Sequence, residues 1–146
     1  MATGDRVDPY LQYNYLVEID GVTRAGFTEV GGLTTEQEII DYREGSDPPF
    51  MKRLPGLQKF TPLMLKRGWT QDEELWLWRK TTLDGQTERR SGSVVLLDEA
   101  RNPVLRWNFT EGWVSKWEGP ALNATTNEAA IESIEIVYEQ LVLEVA

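Results

Sequence analysis

The sequence predicts a mainly β domain with one α-helix, and three observations carry that prediction. Short segments alternate apolar and polar residues with period two. Glycine, proline and Asp-Gly or Gly-Gly pairs punctuate them at intervals too short for parallel crossovers, so antiparallel connections dominate. A single stretch, residues 70–84, changes to helical spacing. The length of 146 residues suits one domain over residues 1–146 with no internal repeat or boundary. A chain of that size buries roughly 68–70% of its unfolded surface.

Alternation begins at Tyr13. Tyr13, Tyr15, Val17 and Ile19 share one face, and Asn14, Leu16, Glu18 and Asp20 the other. Asp20-Gly21 suits a type I′ turn, where both central residues need positive φ, so residues 22–30 are expected to return antiparallel on this strand. Gly31-Gly32 interrupts, and residues 34–43 resume a strand with β-branched Thr35, Ile39 and Ile40. Residues 60–67 read as a further strand, ended by Gly68.

The helix has its own signals. Thr70 as N-cap and Glu73 three residues on form a capping box. Asp72, Glu73 and Glu74 suit the positive end of the helix dipole, and Arg79 and Lys80 the negative end. Leu75, Trp78 and Thr82 form a stripe, Trp76 and Leu77 stand beside it, and Asp84-Gly85 closes the helix. The paired tryptophans read as core anchors.

The second half is again β. Residues 93–97 form an apolar run, as in a strand buried on both faces, and residues 99–103 a turn. Leu105, Trp107 and Phe109 alternate with Arg106, Asn108 and Thr110; Gly112 marks a bulge or bend; Trp113, Ser115 and Trp117 then alternate with Val114, Lys116 and Glu118. After a polar loop at 119–127, Ile134, Ile136 and Tyr138 share a face of the final strand. The expected total is about seven or eight strands and one helix.

Residues 45–59 stand apart. Pro48, Pro49 and Pro55 with Gly45 and Gly56 argue against a laddered strand, and a loop of this length is usually functional or disordered. It nevertheless carries Phe50, Met51, Leu54 and Leu57, more apolar side chains than a solvated loop needs. Packing on its own core or docking on a neighbouring subunit would each account for them.

Composition excludes much chemistry. Without cysteine there are no disulfides or thiolate metal sites. Without histidine the usual general base near neutral pH and the usual zinc or copper ligand are missing, and a serine triad has no partner for its hydroxyl proton. Gly31-Gly32 precedes a strand, so no helix N-terminus faces a phosphate there. The Walker lysine pattern and the spaced acidic loop of an EF-hand are absent. Glycoside hydrolysis needs only two carboxylates, yet none of the 24 acidic residues is singled out as a pair. Lys66-Arg67-Gly68-Trp69 offers two charges and one ring, too few for a single-stranded nucleic-acid contact. The expectation is a non-enzymatic chain with no cofactor and no metal.

The net charge of −9 is unevenly placed. Residues 43–67 hold Arg43, Lys52, Arg53, Lys59, Lys66 and Arg67 against Glu44 and Asp47, whereas residues 118–146 hold six glutamates and no base. Residues 1–7 contain no apolar run, so synthesis in the cytoplasm without a signal peptide is expected. No stretch approaches the roughly 20 apolar residues of a membrane span.

Several stretches, taken in order and spacing, resemble the tail tube family of contractile-tailed phages, most closely its branch in extracellular contractile injection systems. They are DPYLQYNYLVEIDGVTRAGFTEVGGL from Asp8, YREGSDPPFMKRLPGLQKF from Tyr42, LKRGWT from Leu65, ELWLW from Glu74 and ERRSGSVVLLDEARNPVLRWNFTEGWVSKWEGPALNATTNEAAIESIEI from Glu88. The hemolysin-coregulated protein of type VI secretion is similar at greater distance. The resemblance implies two packed antiparallel sheets, flanked by the helix, in a β-barrel-like domain that joins its neighbours in a hexameric ring. Stacked rings would form an inner tube around a channel. The implied partners are further copies of the chain, a contractile sheath protein, baseplate and tape-measure or cap proteins, and a protein effector or DNA cargo in the lumen, with no membrane insertion by this chain. In that setting Phe50, Met51, Lys52, Arg53, Leu54 and Leu57 are the expected subunit interface. Glu36, Glu38, Glu135 and Glu139, at alternating positions, are the expected lumen-facing acids. The alternative is a monomeric or dimeric β-sandwich binding module whose long loop contacts a ligand.

Overall fold

The computed structural model describes residues 14–20, 26–46, 48–69, 73–125 and 127–145. Among these residues the elements are β1 (Tyr15–Ile19), β2 (Glu29–Gly31), β3 (Thr35–Tyr42), β4 (Lys52–Phe60), β5 (Leu63–Gly68), α1 (Glu74–Leu83), β6 (Arg90–Leu97), β7 (Pro103–Glu118), β8 (Ile131–Val137) and β9 (Gln140–Val145). Seven strands form one antiparallel sheet in the order β1-β6-β7-β8-β5-β2, with β9 also paired to β7. Strands β3 and β4 form a separate two-stranded ribbon.

The long strand β7 divides the large sheet into two layers. Its first part pairs with β6 and β9, its second with β8. Between them Glu111 takes φ 56°, and the register against β6 slips between Arg90 and Gly92. A bulge bends its strand, and a strand that changes sheet makes the corner of an orthogonal β packing. Gly112 follows the bend and leaves no room for a side chain, since a Cβ there would lie 2.9 Å from Phe109 Cε2.

Alternation selects the face that fills the space between the layers. Val17 and Ile19 of β1 and Phe109 of β7 cluster with Leu63 and Leu65 of β5, Val114 of β7, and Ile134 and Ile136 of β8. Helix α1 adds Leu75 and Trp78, and Trp78 Nε1 donates to the Glu88 carbonyl at 2.8 Å. Each such side chain, fully buried, contributes about 1.5–3 kcal/mol. In β6 the consecutive residues Val94 and Val95 are both buried, as the apolar run predicts.

The structure departs from the sequence expectations at six places. First, among the described residues β1 pairs with β6 and β2 with β5, at opposite ends of the sheet, so residues 26–30 are not paired with β1. The intended turn falls on residues 21–25, outside the described residues. A turn signal is local, whereas strand pairing is decided by which partners bury Val17 and Ile19. Second, the segment read as an unladdered loop is largely strand β4, Pro55 included. An edge strand tolerates proline because a missing N–H on its open side removes no ladder bond, and Pro55 sits opposite Ile39 beside a register shift. Third, Phe60 closes β4 instead of opening the next strand, which starts at Leu63. Fourth, the N-cap of α1 is Glu73, without a side-chain capping bond, so Glu73 is not the third helical residue; Thr70 lies outside the described residues. Fifth, β9 has no counterpart in the sequence reading. Finally, no closed barrel is formed among the described residues: the sheet ends at β1 and β2 without pairing them.

Candidate functional site

The ribbon of β3 and β4 is an arm with a fixed base. Gly32 sits at φ 90°, and a Cβ there would lie 2.1 Å from the Pro62 carbonyl oxygen, so only glycine allows the chain to pass at this point. Thr61 N–H donates to the Thr34 carbonyl at 3.2 Å. The Phe60 ring packs 5.9 Å from that of Tyr138, which packs 5.9 Å from Phe109 in the core. The Tyr138 hydroxyl donates to the Thr61 carbonyl at 2.6 Å, and burial pushes its pKa up. The arm is thus tied to the core by backbone, aromatic and hydroxyl contacts.

Beyond the base the arm stands in solvent. All eight residues of β3 are exposed. The register puts Glu36, Glu38, Ile40 and Tyr42 on one face with Lys52, Leu54 and Lys59, and Thr35, Gln37, Ile39 and Asp41 on the other with Arg53, Pro55, Gln58 and Phe60. Apolar side chains therefore occupy both faces. Ile39 is 63% exposed and Ile40 51%, Leu57 at the register shift 73%, and Phe50 at the tip 65%. Cross-strand pairs hold the polar positions. Lys59 lies 2.9 Å from Glu38, and that hydrogen bond raises the lysine pKa. Arg53 lies 3.6 Å from Asp41. Near the tip, Arg43 Nε donates to the Pro48 carbonyl at 3.1 Å.

Of the residues singled out in the sequence, Phe50, Met51, Lys52, Arg53, Leu54 and Leu57 are all exposed and share this arm. The four glutamates are spread over three elements. Glu36 and Glu38 lie on β3, Glu135 on β8 opposite Met64 of β5, and Glu139 in the β8–β9 turn, 3.5 Å from Arg89. Ile39, Ile40 and Tyr42 were missed as surface residues. The signal was present: two adjacent isoleucines in a strand must point to opposite faces.

Three buried polar side chains of the body, Asn14, Arg67 and Glu132, are all hydrogen-bonded. Arg67 Nε lies 2.6 Å from Glu132 Oε1, Trp117 Nε1 donates to Glu132 Oε2 at 3.2 Å, and the Arg67 guanidinium lies 5.9 Å from the centre of the Phe27 ring. Asn14 donates to the Asp98 carbonyl at 2.6 Å and accepts from Arg101 at 2.8 Å. Among the described residues no three His, Cys, Asp or Glu side chains are grouped to hold a metal ion.

Comparison with solved structures finds this fold in a chain of the PVC sheath-tube complex of an extracellular contractile injection system in its extended state. The match has a TM-score of 0.85 at 23% identity and covers 94% of this chain and 93% of that one. A chain of the anti-feeding prophage cap, which terminates the tube, matches with a TM-score of 0.86 at 23% identity over 99% of this chain and 98% of that one. Hcp1 from Flavobacterium johnsoniae is similar at 16% identity, with a TM-score of 0.62 over 90% and 95% of the two chains. No curated protein sequence matches the chain. The family described as T4-like virus tail tube protein gp19 matches residues 11–142, nearly the whole length, and the chain belongs to that family.

Proposed function

We propose that the chain is the structural inner-tube subunit of a contractile phage tail or injection system, that six copies close into a ring, and that rings stack around a cargo channel with the β3–β4 arm as the assembly element. The observation that carries the role of the arm is a ribbon fixed at its base and apolar on both faces. A two-stranded hairpin alone is marginal in water, so its faces need covering, and further copies of the chain are the occupants a tube supplies. A heterologous contact that closes by rotation makes a ring, and repetition along an axis makes a tube. Pairing of open sheet edges with neighbouring copies would remove the hazard they pose in a free subunit.

The solved structures sharing the fold belong to a sheath-tube complex, a baseplate and a tube-terminating cap. Sheath, baseplate and cap proteins are accordingly the proposed partners, with a protein effector or DNA as cargo. Glu36, Glu38, Glu135 and Glu139 remain the proposed lumen-facing acids; the Glu38–Lys59 and Glu139–Arg89 pairs favour a surface closer to neutral than four free carboxylates would make it. No catalytic role is proposed. Among the described residues no helix is long and apolar enough to cross a membrane.

The test shortens the arm in register. Gln37 and Gln58 stand opposite one another, so an Asn-Gly turn can replace residues 38–57 and close the hairpin. Negative-stain microscopy of the wild type is expected to show six-fold rings or tubes, and the shortened variant, still folded by circular dichroism, only small particles. Assembly of the variant at the wild-type concentration would remove the arm from the mechanism. Small particles from the wild type would favour a binding module.

A further inference from the structure

The inward face of β5 carries Leu63, Leu65 and Arg67, and that of β8 carries Ile136, Ile134 and Glu132. The register sets them opposite one another in that order. All six side chains are buried; Arg67 is 4% exposed and Glu132 1%. Arg67 Nε donates to Glu132 Oε1 at 2.6 Å, and Trp117 Nε1 of β7 donates to Glu132 Oε2 at 3.2 Å. One carboxylate thus ties β8 to the strands on both its sides. An ion pair this deep is weak support for stability, because desolvation offsets its attraction; its best-attested use is to fix a register.

We propose that Arg67, Glu132 and Trp117 form a register lock, which holds β5 against β8 where the apolar pattern alone would let it slip by two residues. A one-residue slip is already forbidden, since it turns the buried face outward. A two-residue slip keeps that face inward. In one direction Leu63 would meet Tyr138 and Leu65 would meet Ile136, so two apolar pairs survive, as many as in the native register. Only the charges are then mismatched: Arg67 would face Ile134, and Glu132 would face Trp69. In the other direction Leu65 would face Glu132, and Arg67 would face Ala130. Either slip separates the two buried charges, and breaking a buried pair is strongly destabilising. The consequence reaches the arm. Strand β2 pairs with β5 and travels with it, and two residues of strand span about 7 Å. A slipped β5 would carry Thr61 away from the Tyr138 hydroxyl that ties the base of the arm to the core.

The absence of native cysteine makes the register measurable. Met64 and Glu135 stand opposite one another beside these pairs, so Met64→Cys with Glu135→Cys reports the native register. Met64→Cys with Val137→Cys, or with Ser133→Cys, reports a slip in either direction. Diagonal neighbours lie about 7–8 Å apart, beyond disulfide reach. Each cysteine pair is oxidised in the otherwise unaltered chain and in Arg67→Met with Glu132→Leu, and the intramolecular disulfide is read by peptide mass mapping. The unaltered chain is expected to cross-link only the native pair. The apolar variant is expected to keep or raise its urea midpoint while increasing a slipped cross-link at least about tenfold. A folded apolar variant that cross-links only the native pair overturns the lock, whatever its midpoint. A slipped cross-link of equal yield in the unaltered chain overturns it as well. If the apolar variant does not fold, Glu132→Gln decides. Its amide can accept from Arg67 or from Trp117 but meets the other with an N–H. Slipped cross-links are therefore expected there too, and their absence overturns the proposal.

Discussion

In the two-layer body Leu63, Leu65, Val114 and Ile136 have no exposed surface, whereas on the arm Leu57 keeps 73% of its surface and Ile39 63%. The residue types are the same; their partners differ. Body side chains are covered by β1, β5, β7, β8 and α1 of their own chain. On the arm, β3 and β4 pair only with each other among the described residues. The contrast separates two settings: apolar residues of the body hold the monomer together, and those of the arm are uncovered, as the proposed assembly role requires. Polar residues divide in the same way. Arg67 and Glu132 are sealed together in the body, while Asp41–Arg53 and Glu38–Lys59 face solvent on the arm. Exposed pairs of that kind are screened by water and salt and contribute little to stability.

The largest expected effect is in the body. Glu132→Ala strands the Arg67 guanidinium in an interior without its counter-charge and should cost about 3–5 kcal/mol in urea unfolding. Replacing residues 38–57 by a short turn should cost less than about 1 kcal/mol on the same measurement, because it exposes little buried surface. Equal losses would mean that the arm is part of the cooperative core.

Next comes the joint between the two regions. Gly32→Ala places a methyl group against the Pro62 carbonyl at a φ of 90°. Strain of this kind costs of order 1–3 kcal/mol, and relief requires moving the base of the arm. A lowered melting temperature together with poorer assembly is the expected result. Unchanged melting would show that Gly32 relaxes freely and that the base is not held.

Smallest in stability, though not in assembly, is Leu57→Ser. An exposed substitution shifts stability within about ±0.5 kcal/mol, so melting should be unaffected while the concentration needed for tubes rises. Sedimentation of assembled material against protein concentration measures this. A melting temperature that falls with no change in assembly would assign Leu57 to the monomer.

The alternation of Tyr15, Val17 and Ile19, the stripe of Leu75 and Trp78, the apolar run at 93–97 and the bend at Gly112 could all be read from the chain, because each is a local pattern whose period names a face. So could the exclusion of histidine and cysteine chemistry, and the apolar residues of the arm tip. Period two, however, names a face and never a partner, which is why the pairing of β1 with β6 belongs to the tertiary structure alone. Whether a proline can sit in a strand depends on what lies beside that strand, so Pro55 became intelligible only once β4 was seen to have a single neighbour. Strand β9 packs Leu141 inward and leaves Val142, Leu143 and Val145 exposed, which blurs its alternation in sequence. An open surface groove beside β2, β5 and β8 draws Glu29, Lys66, Glu118 and Ile131 from separate parts of the chain. Local periodicity cannot bring such residues together; the folding of one sheet into two layers does.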